Sequence, residues 1–93
     1  MIVMGLEFTI VIYDSYSLKD KRSTVKSILH RTQNRHHLST AEVGDWDMLN
    51  KATLAFGVVG SDRQLMRKRL ELAVKEIEDD YEIEVITHEW VVA

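Results

Sequence analysis

With 93 residues the chain is long enough for one hydrophobic core, so we predict a single domain over residues 1–93. Its hydrophobic share of 45% and charged share of 29% are typical of globular proteins, and the lack of cysteine excludes disulfides and thiolate metal sites. The net charge of −3 argues against a surface that binds nucleic acid throughout.

The N-terminal segment predicts a long β-strand. Apolar side chains alternate with others from Ile2 to Ile12, and this period of two gives the strand one fully apolar face. The segment lacks the basic lead and the cleavage site of a signal peptide, it carries Glu7, and it is too short to cross a membrane. Together with the lack of cysteine, this indicates a cytoplasmic protein with no membrane partner.

The string SLKDKR, from Ser17 to Arg22, predicts the start of the first helix. Ser17 is a typical N-cap residue, and Asp20 three positions later resembles the acidic partner of a capping box. Apolar residues then recur at helical spacing, and we expect the helix to end near residues 35–37. Between Ser17 and His37 there are six bases and one acid, a balance of +5, which makes this the basic segment of the chain.

Four more elements follow, predicted from hydrophobic periodicity and from turn residues. They are a strand over residues 38–43, a strand over 53–59, a helix capped by residues 60–62 and a strand over 82–91. The connection from Gly44 to Lys51 is predicted to be a loop with at most one turn of helix. The acidic run at 78–80 is unfavourable at a helix C-terminus, so we expect the second helix to fray there.

The order βαββαβ predicts an α+β fold of the ferredoxin-like type. Right-handed crossovers would place both helices on one face of a four-stranded antiparallel sheet. The apolar face of the first strand would then lie beneath the helices, and the opposite face of the sheet would stay partly open.

Several short motifs in this order resemble those of the bacterial YlxP-like family, small proteins grouped under a domain of unknown function. The motifs are Ser17-Leu18-Lys19-Asp20-Lys21-Arg22, Ala41-Glu42-Val43, Asp47 with Lys51-Ala52, and Glu89-Trp90. The resemblance covers essentially the whole chain. It implies a ferredoxin-like fold and a gene setting among translation and ribosome-maturation factors, but no established activity. The loop departs from the family pattern, since Trp46 stands where Gln is usual and Leu49-Asn50-Lys51 replaces Trp-Gln-Arg.

Lys21 is predicted to have a structural role. On a helical wheel it lies inside the apolar stripe, between Leu18 and Val25. A buried lysine is costly unless it is paired, so we predict an ion pair with a strand carboxylate, either Glu42 or Glu7. Alternatively, Lys21 helps to hold an anion near the helix start. A role for Glu42 as a general base is not supported, because no partner for it can be named.

The other bases of the first helix form the predicted binding surface. They are Lys19, Arg22, Lys26, Arg31 and Arg35, with His30 and His36 nearby. Such a surface would bind RNA mainly through its phosphates and would have no DNA specificity. The alternative is an ordinary solvated helix face. Recognition in the manner of an RRM domain is disfavoured, because the open sheet face lacks the aromatic residues that stack on bases.

The remaining features indicate binding rather than catalysis. Trp46, between two aspartates, is a candidate exposed anchor for a partner, and Trp90 is either a core residue or a partner contact. The four histidines lack the spacing of metal ligands, and there is no glycine-rich phosphate loop and no catalytic constellation. We therefore predict no metal, no cofactor and no enzymatic activity.

Two functional hypotheses from different classes remain. The first is a non-enzymatic factor that binds RNA or the ribosome through the basic first helix. The second is a self-associating, dimeric domain for assembly or ligand sensing that uses the open sheet face or an edge strand, motivated by the apolar residues of that face.

Overall fold

Six elements follow one another in the order βαββαβ, and the computed structural model describes all 93 residues. They are β1 (Ile2–Ile12), α1 (Leu18–His36), β2 (Ser39–Gly44), β3 (Lys51–Gly60), α2 (Arg63–Asp80) and β4 (Ile83–Val92). All strand pairs are antiparallel and belong to one sheet with the spatial order β2-β3-β1-β4. This arrangement confirms the predicted ferredoxin-like α+β fold.

The core lies between the two helices and one face of the sheet. On β1 the even-numbered residues from Met4 to Ile12 are buried, as the alternation predicted, and they form one cluster with the apolar stripes of α1 and α2. Phe8 packs edge to face on Phe56 of β3, with the ring centroids 4.9 Å apart. Burying a side chain of this size stabilises the fold by about 2 kcal/mol, so this face fixes the position of both helices.

The predicted cap of α1 forms. The Ser17 hydroxyl accepts a hydrogen bond of 3.1 Å from the Asp20 backbone N–H, and the Asp20 carboxylate accepts one of 3.3 Å from the Tyr16 N–H. At the other end His37 is left-handed (φ 53°), and its N–H bonds to the Gln33 carbonyl. Neither helix combines the length and the apolar composition that a membrane crossing requires.

Two predictions about element ends agree with the structure. The connection between β2 and β3 is a loop with one hydrogen-bonded turn, in which the Met48 N–H donates a bond of 3.1 Å to the carbonyl of Asp45, a residue with a left-handed backbone conformation (φ 59°). α2 ends at its acidic run, at Asp80, whose carboxylate accepts a hydrogen bond from Arg31 of α1; fraying of this end stays a prediction. The boundaries of β2, β3 and β4 differ from the predicted ones by one or two residues.

Candidate functional site

The predicted basic surface of α1 is divided between two flanks of the helix. With about 100° between successive residues, Lys19, Arg22 and Lys26 fall within a strip of about 60°, and Arg31 and Arg35 fall on the opposite flank. We call Lys19, Arg22 and Lys26 the basic ridge. All three side chains are exposed, and none takes part in an ion pair.

A shallow groove of about 360 Å³ lies beside the basic ridge, between α1 and the edge strand β2. Six of its eight lining residues are polar or charged, but its exposed lining surface is mostly apolar; the residues are Arg22, Val25, Lys26, Leu29, His30, Gln33, Thr40 and Glu42. His30 is the one aromatic side chain among them, so the groove offers little surface for stacking of bases. Arg22 and Lys26 contribute positive charge and hydrogen-bond donors, which suit the binding of an anion, whereas Glu42 contributes an acid.

Arg31, Arg35 and His36 face α2 instead, where they contact two acids. Arg31 pairs with Asp80, Arg35 pairs with Glu76, and His36 Nε2 lies 2.8 Å from a Glu76 oxygen. We call these five residues the helix clasp. The hydrogen bond from Arg35, helped by the one from His36, lowers the pKa of Glu76 against the opposing effect of burial. Arg31 and Arg35 are therefore largely neutralised and do not extend the basic ridge.

Lys21 is almost completely buried, with 1% of the residue exposed. Its ammonium donates a hydrogen bond to the Asp45 carbonyl, and Nζ lies 3.4 Å from Glu42 Oε2. Of the two acids considered from sequence, the structure places Glu42 at this position, because Glu42 lies opposite the buried Leu54 on the helix side of the sheet. Glu7 lies on the other face, so it is not the partner.

The carboxylate of Glu42 is only partly satisfied. Its Oε2 atom is buried and has no partner with hydrogen-bond geometry, so the attraction to Lys21 is the main interaction that it makes. The left-handed Asp45 turn is held by the Thr53 hydroxyl, which donates a hydrogen bond of 2.8 Å to the Asp45 carboxylate. Lys21 thus joins α1 to the end of β2 and does not face solvent, where it could meet an anion.

The two tryptophans lie in different environments. Trp46, in the loop after β2, is 60% exposed and is available to a partner. Trp90 of β4 is half-buried against the core, and the Arg67 guanidinium lies over its ring, 4.6 Å from the centroid. Trp90 lies on the strand edge farthest from β2, so it does not belong to the same site as the basic ridge.

The open face of the sheet combines apolar residues with opposed carboxylates. Val3 of β1 lies opposite Val59 of β3, and both are exposed. Glu7 lies directly opposite Glu89 of β4, an arrangement in which like charges repel. Stacking two such faces would bring four carboxylates into one interface, which is costly. Self-association through this face stays a prediction, and these carboxylates oppose it.

A second groove, of about 500 Å³, lies between α2 and β4 and was not predicted from the sequence. Its floor is apolar, and its rim carries charges from α2. The sequence contains one signal for this groove, which is the position of Trp90 on the last strand. A single large aromatic side chain on an edge strand covers only part of the neighbouring helix, and the uncovered part leaves a groove. No group of three or more His, Cys, Asp or Glu side chains is arranged to hold a metal ion.

The chain is similar to known proteins over most of its length. The family model described as "Protein of unknown function (DUF503)" matches residues 3–90, which include the basic ridge, Lys21 and Glu42. "Uncharacterized protein YlxP" of Bacillus subtilis (strain 168) is 35% identical over 82 residues, which cover 86% of this chain and 89% of that protein.

Proposed function

Since this chain belongs to the DUF503 family, as its motifs predicted, and that family is described only as of unknown function, we propose a function from the chain's own surface. The protein is a non-enzymatic factor that binds RNA, free or within the ribosome, through the basic ridge of α1. It binds the phosphate backbone of the RNA and requires no cofactor.

The observation that supports this proposal is the difference between the two flanks of α1. Arg31 and Arg35 are held by acids of α2 and have a structural role. Lys19, Arg22 and Lys26 form no ion pair, although Glu and Asp outnumber Lys and Arg in the chain, 15 to 12. Three unpaired cations in one row on an otherwise acidic protein form a local positive surface, which attracts a polyanion.

The spacing of the basic ridge fits a nucleic-acid backbone. Its residues are three and four positions apart, so at 1.5 Å per residue they extend over about 10 Å of helix axis. This is the length of a few nucleotides of one strand. Because His30 is the only aromatic residue that lines the adjacent groove, we expect little sequence preference and no preference for DNA over RNA. The translation-related gene setting that the resemblance implies favours RNA as the polyanion.

The test is the binding of single-stranded RNA and of total ribosomal RNA, measured by fluorescence anisotropy over a salt series. Three phosphate contacts predict a slope of about −2 for the logarithm of affinity against the logarithm of salt concentration. The double variant Arg22→Glu/Lys26→Glu should lose affinity by about tenfold or more and should lose most of the slope.

The matched control is Arg63→Glu/Lys68→Glu on exposed positions of α2, which changes the net charge by the same amount. This control should bind as the parent protein does. Absence of binding at about 50 mM salt, where phosphate contacts are strong, would contradict the proposal. So would an equal loss in both double variants, because general charge and not the ridge would then govern binding.

A further inference from the structure

β4 is one of the two edge strands of the sheet. The pattern of its hydrogen bonds to β1 shows which of its backbone N–H and C=O groups have no partner. Val3 and Ala93 exchange two backbone hydrogen bonds, of 2.9 and 2.8 Å. In an antiparallel pair such exchanges recur at every second residue, so Val91, Glu89 and Thr87 also bond to β1. The backbone N–H and C=O groups of the residues between them therefore point away from the sheet. These free residues are His88, Trp90 and Val92.

The free edge of β4 has few of the features that usually prevent pairing, namely one β-bulge and the acids Glu84 and Glu89. It contains no proline and no lysine, and its β-bulge at Ile86 leaves the second half of the strand in regular register. The side chains at this half include Val91 and Val92, which are 53% and 45% exposed. An edge of this kind is a template for a further strand.

The groove beside this edge has an apolar floor and a rim of alternating charge. The floor is formed by Leu6, Val74 and Trp90, and the rim follows α2 through Arg67, Glu71, Lys75 and Glu78. This row has two bases and two acids and therefore no net charge. A second copy that approaches this edge is not repelled by it, unlike a copy that approaches a row of cations.

The other edge strand, β2, has the opposite electrostatic character. Ile12 donates a backbone hydrogen bond to the Asn50 carbonyl, which by the same alternation leaves the backbone groups of Thr40 and Glu42 free. These groups lie beside Arg22 and Lys26 of the basic ridge. Two copies meeting at β2 would bring like charges together, so β2 is protected against self-pairing.

We propose that β4 pairs with β4 of a second copy of this chain about a two-fold axis at Trp90, which gives one continuous eight-stranded sheet. This register pairs Trp90 with its own copy and His88 with Val92, so all three free residues form hydrogen bonds. It places Glu89 opposite Val91. A two-fold axis at Glu89 would place the two Glu89 carboxylates directly opposite each other. An axis at His88 would require Trp90 to pair with Ile86, which lies in the bulge. The two Trp90 side chains then lie together on the floor of the joined grooves.

Two measurements on the parent protein test the pairing. Its mass in solution, from light scattering, should rise with concentration towards twice the 10.8 kDa of one chain. In the same samples the N–H groups of His88, Trp90 and Val92 should exchange slowly with deuterium, whereas those of Thr40 and Glu42 exchange fast. A mass of one chain at all concentrations would overturn the proposal, and so would equally fast exchange at both edges.

The register is tested by disulfide formation, since the chain has no cysteine of its own. Glu89→Cys and Val91→Cys proteins, mixed in equal amounts, should form the mixed disulfide first, because opposed residues of a non-hydrogen-bonded pair lie about 4.5 Å apart. Ala41→Cys on the open face of β2 is the matched control and should stay reduced. Cross-linking of the control at the same rate, or of Glu89→Cys only with itself, would refute the axis at Trp90.

Discussion

Lys21 is a cation, which is the residue type expected in an anion-binding site, but its position in the fold gives it a structural role. It belongs to the string of three cations that opens α1, yet its ammonium is directed to the Asp45 carbonyl and to Glu42. The helical wheel predicted its place in the apolar stripe but left Glu7 and Glu42 open as partners. The choice between them depends on which face of the sheet each acid occupies, and strand register decides that.

We expect Lys21→Met to lower the free energy of unfolding by about 2 kcal/mol, because it leaves the partly buried Glu42 carboxylate without its cation. The value is below that for a fully buried pair, since about a fifth of the Glu42 side chain (21%) is exposed. Urea unfolding followed by circular dichroism measures the loss. Adding Glu42→Gln to the Lys21→Met protein should recover about half of it, since no unpaired charge then remains. If Lys21→Met is as stable as the parent, the pair does not contribute to stability.

Among the elements, α2 determines which cations of α1 remain without an acidic partner, through the helix clasp. The cations of α1 other than Lys21 were predicted to form one surface, because a sequence shows the charges of a helix but not those of the helix beside it. α2 supplies Glu76 and Asp80 to one flank and thereby removes Arg31 and Arg35 from that surface. The same contact explains why α2 continues through its acidic run, since a cation close to the helix C-terminus offsets the unfavourable dipole interaction.

The helix clasp should make stability depend on pH through Glu76. The folded state lowers the pKa of this carboxyl, so its contribution is present above the ordinary value of about 4.3 and is lost as the pH falls through the folded pKa. Between about pH 5 and pH 3 the parent protein should therefore lose more stability than Glu76→Gln. At neutral pH that variant should be less stable by about 1 kcal/mol.

Thermal unfolding over this pH range measures the effect of Glu76. Glu78→Gln is the control, because Glu78 is exposed on α2, makes no ion pair and should leave the parent's pH dependence unchanged. Parallel pH profiles of the parent and Glu76→Gln would show that the clasp does not stabilise the charged form of Glu76.

For the whole molecule, the single core predicts cooperative unfolding. Its 17 buried residues come from both helices, from β1, β3 and β4, and from Leu38 before β2. No residue of β2 itself is in this cluster, so β2 is held mainly by its ladder with β3 and by the Lys21 contact. Since neither βα half of the chain has a core of its own, we expect neither half to be stable alone.

This cooperativity is tested by two probes of one variant. Trp46→Phe removes the exposed tryptophan and leaves Trp90 to report on β4, while circular dichroism at 222 nm reports on the helices. The two urea transitions should coincide within experimental error. A fluorescence transition at lower urea would show that β4 separates from the sheet before the helices unfold.

The two proposed surfaces lie at opposite edges of the sheet and are therefore compatible. Pairing at β4 leaves the basic ridge beside β2 free in each copy, and because the helices share one face, both ridges lie on the same side. The two β2 strands would be seven strand spacings apart, or about 34 Å at about 4.8 Å each. A dimer of this kind could contact one long RNA at two points, whereas each chain alone contacts it at one.

By itself the sequence determined the order of the elements, the apolar face of β1, the cap at Ser17 and the burial of Lys21. These properties depend on local spacing, a period of two or of 3.6 residues, and on residues a few positions apart. Tertiary contacts establish which acid pairs with Lys21, which cations of α1 remain free, and which backbone groups are free at each edge of the sheet. Those properties depend on residues far apart in the chain, which the register of the sheet and the packing of α2 on α1 bring together.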